Sequence, residues 1–285
     1  MDLVGIKIIV NTQRMSQTIL ITGASSGIGK ATALKFQAEG WNVIATMRRP
    51  ENEQELSQLD KVVVERLDVL DLASIDQAVQ KGIERFGGID ALVNNAGYGA
   101  YGPLEAFPRE NIVKQFNTNV IGLLDVTRAL LPHFRSRKAG SIINISSMGG
   151  KVTFPLGSLY HGTKFAVEGI SEALHYELTD LGIRVKIVEP GAIATDFGGR
   201  SFDFQNQEEL TEYQPLVGTL LSSMQDLTAN AAPASLVADV IYTAATDASE
   251  RMRYLVGTDA EQMVTARSGM TDEAFFGMIR TTLGL

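Results

Sequence analysis

The chain contains no cysteine. Disulfides, thiolate nucleophiles and cysteine-ligated zinc or iron–sulfur centres are therefore excluded. Histidine is scarce as well. His133, His161 and His175 are the whole complement, and none stands in a His-Glu-x-x-His pattern, which argues against a histidine-rich metal site. No apolar run reaches the ~18 residues of a membrane span, so no transmembrane helix is expected. There is no excess of basic charge either. Lys and Arg number 25 against 33 Asp and Glu, a net charge of −8. Nucleic-acid binding, which needs clustered cations to neutralise phosphates, is not expected. The opening segment has a short apolar run but neither a basic region before it nor a small-residue cleavage site. It does not read as a signal peptide, and a soluble, cytoplasmic protein is expected.

What is present is an ordinary globular composition. The chain has 285 residues, 45% of them hydrophobic, enough for a large core. Apolar, β-branched runs at Thr18–Thr22, Asn42–Thr46, Val62–Leu67, Ala91–Asn94, Ser141–Ser146, Arg184–Val188 and Arg253–Val256 read as strands. Helical windows lie between them, near Gly27–Glu39, Leu72–Phe86, Arg109–Phe134, Tyr160–Leu181 and Pro233–Thr246. Strands separated by helices predict βαβ units and a parallel sheet. The runs Ile19–Ile21 and Val62–Val64 are apolar without alternation, as in strands covered on both faces. Gly40 and Gly182 stand where a left-handed helix cap is favoured. The expectation is an α/β, doubly wound Rossmann-type sheet of about seven strands with helices on both faces, in a single domain. That domain spans 15–285 after an N-terminal extension, 1–14, which an extra edge strand at Val4–Val10 could replace. The aperiodic stretch of about 196–231 reads as a lid, and about 258–283 as C-terminal helices.

Chemistry-bearing residues gather at the ends of these strands. Thr22-Gly-Ala-Ser-Ser-Gly-Ile-Gly29 joins the first strand to the first helix. Glycines there permit a tight turn, and the free N–H groups of the helix start favour phosphates. Asp68-Val69, Asn94-Asn-Ala-Gly97, Ser147 and Pro190-Gly191 follow later strands, with Asn119 in a helical window. Tyr160 and Lys164 are four residues apart, so they share one helix face. Each pattern alone is weak. Their concurrence at carboxyl ends of strands, the edge where open α/β sheets bind ligands, is what points to a site.

Taken in order, TGASSGIG, NNAG, Asn119, Ser147, YHGTK and PG resemble the short-chain dehydrogenase/reductase superfamily from about Thr18 to Val256. The resemblance implies that Gly23, Ser25, Gly27, Ile28 and Gly29 surround a cofactor pyrophosphate, with Ser26 in the same turn. It implies that Asp68 and Val69 meet the adenine, that Asn94, Ala96 and Gly97 lie on the adenosine side, and that Pro190, Gly191, Ile193 and Thr195 serve the nicotinamide half. It maps a catalytic set onto Asn119, Ser147, Tyr160 and Lys164. Ser146 competes for the serine role, but the family's serine lies thirteen residues before the tyrosine, which selects Ser147. It further implies that Lys164 contacts the cofactor ribose, that Asn119 holds a relay water, and that the protein is a homodimer or homotetramer. The segments VEPGAIATDF and VIATMRR look most like the branch of 17β-hydroxysteroid and retinol dehydrogenases.

The implied reaction is hydride transfer between a nicotinamide cofactor and a carbonyl or alcohol. Ser147 would hydrogen-bond the substrate oxygen and Tyr160 would exchange its proton. The Lys164 ammonium is expected to lower the tyrosine pKa from its usual ~10. NADP(H) is expected over NAD(H). Met47 occupies the place of the acidic residue that grips the ribose in NAD-binding folds, and Arg48 and Arg49 follow it. Candidate substrate walls are Tyr98, Tyr101, Met148, Phe154, Phe197 and Phe202, which fit a mainly apolar small molecule. Two alternatives stay open at this stage: a nucleotide-binding regulatory or scaffold protein, and an NAD-dependent alcohol dehydrogenase.

Overall fold

The computed structural model describes residues 16–195, 201–229 and 231–285. The chain runs β1 (Thr18–Ile21), α1 (Gly27–Ala38), β2 (Asn42–Met47), β3 (Val62–Arg66), α2 (Leu72–Phe86), β4 (Ala91–Asn94) and β5 (Gly99–Tyr101). It continues through α3 (Arg109–Phe116), α4 (Gly122–Arg137), β6 (Gly140–Ile145), α5 (Ser158–Leu178), β7 (Ile183–Pro190), β8 (Ile193–Ala194) and β9 (Phe202–Phe204). It ends with α6 (Gln214–Ala229), β10 (Ala232–Pro233), α7 (Ala234–Thr246), β11 (Arg253–Val256), α8 (Thr258–Gly269) and α9 (Asp272–Thr282).

Seven strands form one parallel sheet in the order β11-β7-β6-β4-β1-β2-β3. Ile19, Leu20 and Ile21 of β1 are wholly buried, as a strand covered on both faces requires. Their side chains alternate between two cores. Ile19 and Ile21 join Ala33, Phe36 and Ile241 from α1 and α7, while Leu20 joins Ile75, Val79, Leu130 and Phe134 from α2 and α4. After β1 the chain adds β2 and β3 on one side, then crosses to place β4 on the other. This reversal opens a crevice at the carboxyl ends of β1 and β4. Gly40 and Gly182 adopt φ of +83° and +73°, the left-handed caps expected of them.

Three local expectations are corrected, and two small strand pairs are added. Val62–Val64 are only half-buried, because β3 is the sheet edge and has a neighbour on one side alone. The single helical window Arg109–Phe134 is two helices joined by a π turn at Asn117–Ile121. The stretch read as an aperiodic lid contains a 16-residue helix, α6, whose Val217 and Leu220 are buried. Short strands β5 and β9 pair with each other outside the main sheet, as do β8 and β10. Residues 1–14, and the expected substrate contact Phe197, lie outside the described residues. Among the described residues no helix is long and apolar enough to cross a membrane.

Candidate active site

The turn after β1 is shaped by backbone that only glycine adopts without strain. Gly23 and Gly27 have φ of +69° and +54°. A Cβ on Gly29 would lie 2.3 Å from the Gly23 carbonyl oxygen, so that position admits no side chain. Ser26 opens α1 without a capping side-chain bond, and no acidic residue stands in the first turn. The leading amides of this 12-residue helix therefore keep their capacity for an anion, which fits a cofactor pyrophosphate. Ser25 is exposed over the turn.

A residue not singled out in the sequence fastens this turn. The Asn95 side-chain amide donates to the carbonyls of Thr22 (2.9 Å) and Gly23 (3.1 Å). The Thr22 hydroxyl in turn accepts the N–H groups of Asn95 and Ala96, both at 3.0 Å. Together these bonds pin the glycine turn to the end of β4 across the crevice. Asn94 is different. Its amide points into the protein and donates to Thr127 and Asn144, both at 2.9 Å, so its side chain ties the sheet to α4. Asp68 accepts from the Leu70 N–H, and Val69 is buried against Gly122. Met47 packs into the core, whereas Arg48 and Arg49 are exposed beyond the end of β2.

Ser147, Tyr160 and Lys164 meet at the carboxyl end of β6. Ser147 Oγ accepts the Gly149 N–H at 3.0 Å, lies 3.4 Å from the Pro190 carbonyl oxygen and shares a hydrogen bond with the Tyr160 side chain. Lys164 Nζ donates to the Ile145 carbonyl at 2.8 Å and sits 5.7 Å from the centre of the Tyr160 ring. Burial pushes the lysine down to about 8, against the opposing pull of Glu168 one turn along α5. Burial raises the Tyr160 phenol above its ordinary value, and the Ser147 hydrogen bond opposes it. The expected lowering of the tyrosine by Lys164 is thus reversed in the protein by itself, because desolvation of the phenolate outweighs the favourable contacts.

Asn119 lies in the π turn, an irregularity that recurs at functional sites. Its carbonyl accepts the Tyr98 N–H at 3.0 Å, and its amide donates to the Tyr98 carbonyl (2.8 Å) and the Thr163 hydroxyl (3.1 Å). Thr163 donates to the Tyr160 carbonyl, so this bracing reaches the tyrosine's own turn. The Pro190-Gly191 loop has its own clamp. Asp259, at the start of α8, accepts the Ala192 N–H at 2.7 Å, and a Cβ on Gly191 would strike the Asp259 carboxylate at 2.3 Å. No motif marks Asp259, and only the packing of α8 brings it there. Thr195 closes on Gly27, within 3.2 Å of where a Cβ would stand, so the two expected cofactor loops touch. Ile193 lies in β8, paired with Ala232, and packs against the core cluster that holds Ile19 and Ile21.

The expected substrate walls divide into three groups. Tyr101 stacks on Phe202 at 5.5 Å and faces the Tyr160 ring at 5.4 Å, and Phe204 extends the stack. Met148 and Phe154 pack with Val152, Phe275 and Ile279 beneath α8 and α9. Tyr98 packs with Ala100, Phe107 and Leu159, and its hydroxyl is buried without a partner among the described residues, pushed up to about 12 by burial.

Comparison with known proteins agrees with this fold. The family model described as short chain dehydrogenase matches residues 17–206. The 3-ketodihydrosphingosine reductase of Bacteroides thetaiotaomicron is 43% identical over 195 residues, 68% of this chain and 69% of that one. A short-chain dehydrogenase from Streptomyces avermitilis superposes with a TM-score of 0.82 at 34% identity, covering 95% of this chain and 99% of its own. ElxO with NADP bound superposes with a TM-score of 0.70 at 29% identity, covering 85% and 97%. The chain belongs to the short-chain dehydrogenase/reductase superfamily of nicotinamide-dependent oxidoreductases.

Proposed function

We propose that the protein is an NADPH-dependent carbonyl reductase, reversible as an alcohol dehydrogenase, acting on a mainly apolar small molecule. The observation that carries this reading is the meeting of Ser147, Tyr160 and Lys164 beside a glycine turn whose helix amides are open to an anion. A nicotinamide bound at this edge supplies the hydride. Ser147 Oγ is anchored by the Gly149 N–H, and its proton, given to the Pro190 carbonyl at 3.4 Å, is in a long bond that a substrate oxygen would displace. The raised pKa keeps Tyr160 protonated at neutral pH, the form that delivers a proton as charge grows on a carbonyl oxygen. Lys164, held on the Ile145 carbonyl, supplies a donor beside the phenol.

NADPH is favoured by three neighbouring residues. Met47 is buried, so no carboxylate stands at the ribose position, and the guanidinium groups of Arg48 and Arg49 are exposed with no ion-pair partner among the described residues. An apolar ketone is favoured by the Tyr101–Phe202–Phe204 stack against Tyr160. The relative named for 3-ketodihydrosphingosine adds weight to a ketone on an apolar skeleton.

The test is NADPH consumption over a panel of long-chain and aromatic ketones, aldehydes and small charged keto acids. Turnover is expected on the apolar ketones. Tyr160→Phe should fold, bind NADPH normally and lose at least about a hundredfold in turnover, the scale of a missing general acid. Preference for charged keto acids would refute the substrate class. Tight NADPH binding with no turnover on any carbonyl would favour a sensor instead.

A further inference from the structure

The residue after the tyrosine, His161, is 3% exposed and uses both ring nitrogens. Nδ1 lies 2.9 Å from the Gly149 carbonyl oxygen, which can only accept, so Nδ1 carries the hydrogen. Nε2 accepts the Phe154 N–H at 3.1 Å. The imidazole is therefore neutral and of one tautomer, and burial holds its pKa below the usual value. It bridges the start of α5 to both ends of the segment that follows Ser147.

Two glycines make room for this ring. A Cβ on Gly149 would stand 2.8 Å from Nδ1, and one on Gly157 would stand 2.5 Å from Cδ2. Neither glycine has a positive φ, so the space, and not the backbone conformation, explains them. Gly149 is also the residue whose N–H is accepted by Ser147 Oγ. One residue is thus gripped at its carbonyl by His161 and fixes the serine through its amide. The Tyr101, Phe154 and Tyr160 rings surround the imidazole at 5.6–6.0 Å between centres.

We infer that His161 is a positioning residue, which sets the distance between the Ser147 hydroxyl and the Tyr160 phenol by clasping the turn at Gly149. The inference rests on the reading of Ser147 and Tyr160 as the catalytic pair. It assigns His161 no proton transfer. Loss of the clasp frees Gly149, loosens the N–H that orients Ser147 and blurs the placement of the substrate oxygen.

The experiment is a double-mutant cycle with steady-state kinetics and NADPH titration. His161→Phe keeps a ring but makes neither bond, and it should lower kcat about tenfold, since small misplacements of catalytic groups carry costs of this order. The Kd for NADPH should stay within about twofold, because the clasp is remote from the glycine turn. In a Ser147→Ala background the same change should lower kcat by less than about twofold more, because the two residues act through one contact. His161→Asn, whose amide falls near the place of Nδ1, should recover most of kcat, and His161→Gln should not. Full, multiplicative loss in the Ser147→Ala background would overturn the inference, as would an unchanged kcat in folded His161→Phe. If His161→Phe fails to fold, the Asn and Gln variants decide it, and equal activity in those two also overturns it. Tyr160→Phe is assayed alongside. Parent-like turnover there sinks the underlying reading, whereas loss there with no effect at His161 sinks only the inference.

Discussion

Arg48→Ala separates cofactor choice from folding. The side chain is exposed and makes no ion pair among the described residues, so the change should move folding stability by less than about 0.5 kcal/mol. The effect falls on the ligand. A hydrogen bond to a charged group contributes about 1.5–3 kcal/mol. Solvent screening at an exposed guanidinium places the expectation near the lower end. That corresponds to roughly tenfold weaker NADPH. NADH has no 2′-phosphate and should change by less than about twofold on the same reasoning. Arg49 stands next in sequence and is equally exposed, so replacing both arginines should deepen the loss for NADPH alone. Met47 cannot substitute for the missing grip, because its side chain lies in the core and its carbonyl accepts the Leu67 N–H. The assay is kcat/KM for each cofactor in parent and variants, with melting temperatures as the folding control. Equal use of NADH by the parent, or equal loss for both cofactors in Arg48→Ala, would refute the reasoning.

Two further outcomes test the scaffold of the site. Asn95→Ala removes two hydrogen bonds between the glycine turn and β4, at about 1 kcal/mol each. The melting temperature should fall by roughly 4–8 °C and NADPH binding should weaken, and an unchanged melt would show that the turn holds itself. Glu189→Gln probes a pair of buried acids. Glu189 and Glu168 each keep a buried carboxylate oxygen without a hydrogen-bond partner among the described residues, with Arg253 3.0 Å from Glu168 and 3.8 Å from Glu189. Burial and the neighbouring carboxylate push Glu189 up to about 7 from 4.5. The folded state therefore binds more protons than the unfolded one between these values, so stability falls as pH rises across that interval and the deficit is complete above it. Glutamine mimics the protonated acid. Its melting-temperature advantage over the parent should grow between about pH 5 and 8, and an advantage independent of pH would contradict a Glu189 raised by burial.

The strands of the central sheet were legible in the sequence because each is a run of apolar, β-branched residues, and Ile19–Ile21 needs nothing beyond that pattern to be read as interior. The glycine turn was legible for a steric reason, since Gly23 and Gly27 occupy backbone conformations with few other tenants. The pairing of Tyr160 with Lys164 followed from helix geometry alone. Tertiary structure decided the rest. The strand β3 is half-buried only because nothing pairs beyond it, a fact of sheet order that no local pattern encodes. Gly99–Tyr101 and Phe202–Phe204 are too short to carry a period, and they become strands by meeting each other across a hundred residues of chain. Asn95 and Asp259 acquired their roles from where β4 and α8 end, and Gly149 and Gly157 are explained by the imidazole that fills the space beside them. The direction of the Tyr160 shift could not be read from the lysine four residues away. It is set by how much water the surrounding elements remove from the phenol, and desolvation is a sum over the whole fold.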